Sequence, residues 1–203
     1  GSSSGGSSSG SNDSSTDDKK EENSSSNNES STNSSSSDSN NSWIKNNDGT
    51  WSYANSTGEK ASSTWIQDSG KWYYLNENGT MKTGWHSDAD GKWYYLNDSG
   101  DMKSGWHKDT DGNWYMLGSS GAMLTGWHKD TNGKWYMLSD NGKMVTGWVK
   151  DNNAWYYLNE SGDMQSAGWK VVNGKWYYFY GNGEMASNTT IDGYKVNSDG
   201  EWV

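Results

Sequence analysis

From Trp43 onward the chain repeats itself about every 21 residues, and self-similarity at such a period marks a stacked repeat architecture. One Trp series runs Trp43, Trp65, Trp85, Trp106, Trp127, Trp148 and Trp169. A second runs Trp51, Trp72, Trp93, Trp114, Trp135, Trp155 and Trp176, so each repeat is a Trp pair seven or eight residues apart. Residues 125–144, TGWHKDTNGKWYMLSDNGKM, split into two short aromatic runs around Asp130-Thr131-Asn132-Gly133. That turn carries a Gly able to take positive φ, and the unit predicted is a β-hairpin. The turn recurs around Gly49, Gly70, Gly91, Gly112 and Gly174, with Asn152-Asn153 where Gly is missing. A second mark, Gly79, Gly100, Gly121, Gly142, Gly162 and Gly183, stands two residues before a Met each time and reads as the loop between hairpins.

A lone hairpin is marginal in water, so these units must stack to bury their rings, and the terminal ones should be atypical. The first unit keeps Trp43, Trp51 and Tyr53 but has Ser52, Ala54 and, at the loop Met position, Ala61. The last, TTIDGYKVNSDGEWV, puts Ile191 and Tyr194 where the two Trp would stand and closes with Trp202 and Val203. The chain therefore divides into tandem repeats over 43–188 and a cap over 189–203. Residues 1–42 are Ser, Asn, Asp and Gly with almost no apolar side chain. Such a segment cannot bury enough surface to offset the entropy of ordering it, and it reads as a disordered linker, its first ten residues regular enough for a tag.

With 15 Trp, 13 Tyr and a single Phe, Phe179, aromatic rings must supply most of the buried apolar surface. Cysteine is absent, which removes disulfides and thiolate metal sites. The net charge is -10, with no Arg, and about half of the acidic excess lies in residues 1–42, a balance that argues against nucleic acid. No apolar run approaches the roughly 20 residues a bilayer span needs, and without an initiator Met or signal peptide the chain reads as a mature or excised fragment. Acidic residues scatter through turns at repeat spacing, with no nucleophile beside a base and no paired carboxylates, so no catalytic residue and no cofactor is assigned.

Along the second strand, Trp-Tyr-Tyr-Leu alternates with period two, so Trp155 and Tyr157 share one face while Tyr156 and Leu158 share the other. One face can serve as core; the other can bring three rings from two successive units around a gap. Electron-rich ring faces around a small cavity suit a quaternary ammonium, whose charge meets each ring quadrupole and whose methyls prefer an apolar surround. A loop Met such as Met102, Met144 or Met164 can close the floor with its thioether. Sugars also stack on Trp and Tyr, so a glucan remains the rival ligand, and rings that are core alone remain the third reading. The return of Trp at both positions in seven units weighs against mere bulk, which would drift among Leu, Phe and Tyr.

The pattern GW-x(6-7)-WYYL-N-x-x-G-x-M-x-x-GW resembles the choline-binding repeats of streptococcal surface proteins, autolysins and phage lysins. The ending Thr189-Thr190-Ile191-Asp192-Gly193-Tyr194-Lys195-Val196-Asn197 with Gly200-Glu201-Trp202-Val203 is similar to the C-terminal tail of pneumococcal members. The resemblance implies an all-β fold, a left-handed β-solenoid of stacked hairpins. It implies a non-catalytic module at the bacterial cell surface that binds phosphocholine on wall teichoic and lipoteichoic acids without entering the membrane. Homodimerisation, through the cap or through choline, is left open. Each site is implied to use two Trp of one repeat and a Tyr of the next, and strand parity selects the second Tyr of the pair: Trp65, Trp72 and Tyr95; Trp127, Trp135 and Tyr157; Trp148, Trp155 and Tyr178.

Met116 and Met137 stand where a second Tyr is expected. The gaps of Trp85 with Trp93 and of Trp106 with Trp114 should thus lose an aromatic wall and bind choline more weakly. His86, His107 and His128 follow the first Trp in three successive repeats. Alternation puts them opposite the Trp face, and Ile66, Val149 and Lys170 at the same position point to a tolerant, solvated site rather than a metal ladder. Asp88 to Gly91 and Asp109 to Gly112 resemble a calcium loop but lack its remaining ligands, so turn chemistry suffices and no metal site is assigned.

Overall fold

The computed structural model describes residues 41–203; the linker expected over 1–42 falls almost wholly outside them. Among the described residues there is no helix. Strands pair only with their chain neighbours: β1 Ser42–Lys45 with β2 Trp51–Ala54, β3 Thr64–Asp68 with β4 Lys71–Leu75, and β5 Gly84–Ser87 with β6 Trp93–Leu96. Then follow β7 Gly105–Lys108 with β8 Trp114–Leu117, β9 Gly126–Lys129 with β10 Trp135–Leu138, and β11 Gly147–Asp151 with β12 Ala154–Leu158. The last pairs are β13 Gly168–Val172 with β14 Lys175–Phe179, and β15 Thr189–Ile191 with β16 Tyr194–Val196. The described chain divides into two compact units, one of residues 41–107 and 116–123, the other of 108–115 and 124–203.

The spacing within a Trp pair selects the turn. Seven-residue pairs close through two residues that both take positive φ, as at Ser69-Gly70, Asn152-Asn153 and Asn173-Gly174, the primed turns whose twist matches that of the strands. Eight-residue pairs need a wider turn, such as the one in which Asp88 N–H donates to Lys92 O at 2.9 Å and Gly91 N–H to Asp88 O at 3.0 Å.

Hairpins stack through one recurring backbone bond. In the first unit Met81 N–H donates to Trp51 O (2.6 Å), Met102 to Trp72 O (2.7 Å) and Met123 to Trp93 O (2.7 Å). In the second unit Met164 donates to Trp135 O and Met185 to Trp155 O, both at 2.8 Å. Each loop thus docks on the second strand of the hairpin before its own, making each unit a solenoid of hairpins. Loop also nests on loop: a Cβ at Gly100 would collide with the Met81 thioether, as one at Gly183 would with Met164. Those glycines take φ of 89° as well, so two separate constraints hold the position to Gly.

Opposed residues in an antiparallel pair share a face. Trp65 lies opposite Tyr74 and Gln67 opposite Trp72, so both Trp and the second Tyr form a front face; Ile66, opposite Tyr73, forms the back with Leu75. The back is core: Leu75, Leu96, Leu158 and Phe179 are fully buried, and the first tyrosines Tyr94 and Tyr156 nearly so.

Two expectations are corrected here. His86, His107 and His128 are not solvated; all are buried, as is Ile66 at the same position. The reason is that each hairpin lays its back on the front of the one before it, so His86 stacks on Tyr74 with ring centroids 3.9 Å apart. In the last hairpin, Thr190 pairs Lys195 and Ile191 pairs Tyr194, where the preceding hairpin pairs Trp169 with Tyr178 and Lys170 with Tyr177. Tyr194 therefore takes the place of a first Tyr, not of a Trp, and Thr190 rather than Ile191 takes the place of the first Trp.

Candidate functional site

Front-to-back stacking decides which rings meet. Trp65 is edge-on to Tyr74 of its own hairpin (5.3 Å, 69°) and to Tyr94 of the next (5.1 Å, 68°). Trp72 and Met102 join this cluster. In the second unit Trp127 meets Tyr156 (5.1 Å, 67°), with Trp135, Met137 and Met164 packed around it. Trp148 meets Tyr157 of its own hairpin, Tyr177 of the next and Trp155. The rings meet steeply, at 67° to 86°, so each cluster turns its ring faces in several directions, and Trp65, Trp72 and Trp127 are themselves buried in these contacts.

The expected third walls are placed differently. Tyr95 packs on Trp85 of its own hairpin (5.2 Å) and stacks on His107 (3.9 Å). Tyr157 and Tyr178 likewise pack on Trp148 and Trp169 of their own hairpins. The ring that reaches across from the next hairpin is the first Tyr of its pair. Met137, opposite Trp127 in the register, accordingly neighbours the Trp127 box. Of the methionines considered as floors, Met102 packs with Trp65 and Trp72, and Met164 with Trp127 and Trp135. Met144 N–H docks on Trp114 O (2.8 Å). Trp85 stands 6.5 Å from Trp93, edge to face.

Polar groups hold the walls from outside. Trp65 Nε1–H donates to Asp88 Oδ2 (3.2 Å), Trp43 to Asp68 (3.1 Å) and Trp127 to Asp151 (3.0 Å). Asp88 is held in turn: Lys82 Nζ can only donate, so His86 Nδ1 accepts from it (3.0 Å) and Nε2 carries the proton that faces Asp88 Oδ1 (3.3 Å). Tyr94 donates its hydroxyl to Asp90 (3.0 Å), and burial, reinforced by that carboxylate, raises its pKa. Tyr115 is pushed up to about 12 by burial and its bond to Asp111.

One box was not expected at all. Trp169, Trp176, Tyr194 and Trp202 line a cavity of about 330 Å³. Tyr194 stands 6.0 Å from both Trp169 and Trp202, at 82° and 80°, and Trp176 is 42% and Trp202 50% exposed, so the rings are open to a ligand. Trp202 occupies the loop Met position: its N–H donates to Trp176 O (2.9 Å), and it bridges Val196 as Met185 bridges Phe179. The signal was present in sequence, because Gly200-Glu201-Trp202 repeats the spacing of Gly183-Glu184-Met185. Lys175 and Glu201, each one residue before a Trp of this box, form an ion pair at 2.7 Å. Elsewhere Lys150, the cross-strand partner of Trp155, places its Nζ 5.9 Å from that ring's centroid.

A family model described as a choline-binding repeat matches residues 65–105 and 124–169, and one described as a putative cell wall binding repeat matches 41–60, 104–123 and 167–185. Among solved structures, CbpJ from Streptococcus pneumoniae TIGR4 is 45% identical over 79% of this chain and 57% of its own, with a TM-score of 0.72. Choline binding protein F from Streptococcus pneumoniae is 48% identical over 79% and 56%, TM-score 0.70. CbpF in complex with ipratropium is 44% identical over 79% and 58%, TM-score 0.70. This chain thus spans less than two thirds of those solved chains. No curated relative matches it in sequence.

Proposed function

Because this chain belongs to the choline-binding repeat family, we propose that it is a cell-wall-binding module that holds choline of teichoic and lipoteichoic acids in ring boxes between successive hairpins. It catalyses no reaction and keeps a bacterial surface protein on the wall. The observation that carries this reading is the cavity of Trp169, Trp176, Tyr194 and Trp202, where four ring walls surround a space open to a trimethylammonium group and offer a cation more than any single ring could. The non-catalytic reading is supported by the employment of carboxylates in local geometry: Asp48 caps Thr50, Asp101 accepts from Ser99 and Asn97, and Asp111 holds Tyr115.

In each box the two Trp and the second Tyr of one hairpin are joined by the first Tyr and the loop Met of the next. Tyr94, Tyr156 and Tyr177 are then the crossing walls, and the Met137 substitution bears on the box of Trp127. Several weak boxes on a choline-bearing polymer give avidity beyond that of one. The test is retention of the purified module on a choline-analogue resin with elution by free choline, alongside a dextran resin. Retention that choline does not reverse, or retention on dextran alone, overturns the reading; Trp202→Ala should remove one site from the calorimetric stoichiometry.

A further inference from the structure

Among the described residues, indoles are held by a carboxylate of the following hairpin at Trp43 by Asp68, at Trp65 by Asp88 and at Trp127 by Asp151. In each case the aspartate lies three residues after the first Trp of its own hairpin, where it looks like turn chemistry, yet its bond spans more than 20 residues to the preceding repeat. After Trp148 the same position holds Val172, a side chain with no acceptor. Trp148 keeps the same edge-on contact to its crossing Tyr (4.8 Å, 70°) as Trp43 does (4.8 Å, 66°). Packing against tyrosines therefore sets the tilt of the indole with or without the carboxylate.

A second change accompanies Val172. Where the five hairpins before it carry Leu75, Leu96, Leu117, Leu138 and Leu158, the hairpin of Val172 carries Phe179, the chain's single Phe. Phe179 is fully buried and lies 5.8 Å from Trp148, tilted 33° to it. The repeat that lacks the polar tether thus backs the same indole with a ring.

We infer that Asp68, Asp88 and Asp151 are positioning residues, each preorganising the preceding hairpin's first Trp through its N–H, and that Phe179 substitutes for this tether at Trp148. This rests on the choline reading of the boxes. A rigid wall binds better because less side-chain freedom is lost when the ligand arrives. The inference concerns residues outside the ring set: none of these aspartates needs to touch choline.

The test is choline titration of the whole chain followed at the indole N–H signals of nitrogen-labelled protein, with Trp148→Phe used to assign the Trp148 signal. Phe179→Leu, which places the residue of the other hairpins there, should weaken choline at Trp148 by roughly three- to tenfold. Adding Val172→Asp should move the Trp148 N–H signal to that of a bonded indole and restore affinity to within about twofold of the parent. A purely structural Phe179 would not be rescued in affinity by a carboxylate on the opposite strand. Phe179→Leu with unchanged affinity at Trp148, or a formed indole bond without recovery, overturns the inference while the choline reading stands. No response of any indole to choline overturns both.

Discussion

The imidazole of His86 lies 3.9 Å from the ring of Tyr74, tilted by 30°, joining the back of one hairpin to the front of the one before it. The same contact recurs between His107 and Tyr95. It fixes which tyrosine of each pair faces across a box.

Tyr94 and Tyr95 should therefore separate cleanly. Tyr94→Phe keeps the wall at Trp65 and loses the bond to Asp90, so choline affinity should hold while stability falls by about 1 kcal/mol. Tyr95→Ala should leave the choline response of the Trp65 indole unchanged and alter that of Trp85. Indole-resolved titration of the two variants checks both; a loss at Trp65 in Tyr95→Ala would restore the second Tyr as the crossing wall.

Where this position is buried, at His86 and His107, it should accept an apolar side chain and resist a carboxylate, whereas the half-buried Lys170 holds a charge at the equivalent place. His107→Ile, matching Ile66, should stay within about 1 kcal/mol of the parent, while His86→Asp should cost roughly 3 kcal/mol or more. Urea midpoints of the two variants decide it; equal midpoints would mean that the face is wet.

Glycine positions differ in what they tolerate. Gly183→Ala meets both a φ of 89° and the Met164 thioether and should cost about 2–4 kcal/mol. Gly49→Ala has the same φ of 89° but nothing within 4 Å and should cost about 1 kcal/mol. Thermal unfolding of both is the measurement, and Gly49→Ala serves as the control for φ alone.

Alkali should unfold the chain through its tyrosines. Burial raises Tyr74 and Tyr94, and raises Tyr115 and Tyr156 to about 12. A raised folded-state value contributes stability that is fully present below the unfolded value of about 10 and is lost as pH climbs through the folded one. Stability should hold to about pH 10 and fall across the next two units, with phenolate absorbance lagging that of the denatured chain. Coincident titration of folded and denatured protein would contradict it.

The period, the hairpins and the Trp pairs were legible because Trp and Gly recur at fixed offsets, and the front face followed from alternation. Which face of the next hairpin comes to meet it was not legible, since period two separates Tyr94 from Tyr95 without saying which points backward. Hence the exposure expected of His86 went astray, and the contact with Trp65 expected of Tyr95 is made by Tyr94. Asp88 and Asp151 were hidden by their company in turns, where aspartate needs no further reason. Trp202 read as a closing residue because its match to Met185 shows only once the cap is laid on the repeats.

Each loop docks on the second strand of the hairpin before it, so in the second unit a box is a property of a junction, not of a repeat. Duplication or loss of one 21-residue unit by recombination would then change the valency of the array by one and leave the remaining junctions intact. A chain cut after Met185 would keep Trp169 and Trp176 but lose both Tyr194 and Trp202. The short terminal hairpin is what supplies the last repeat with the two further rings that complete its cavity.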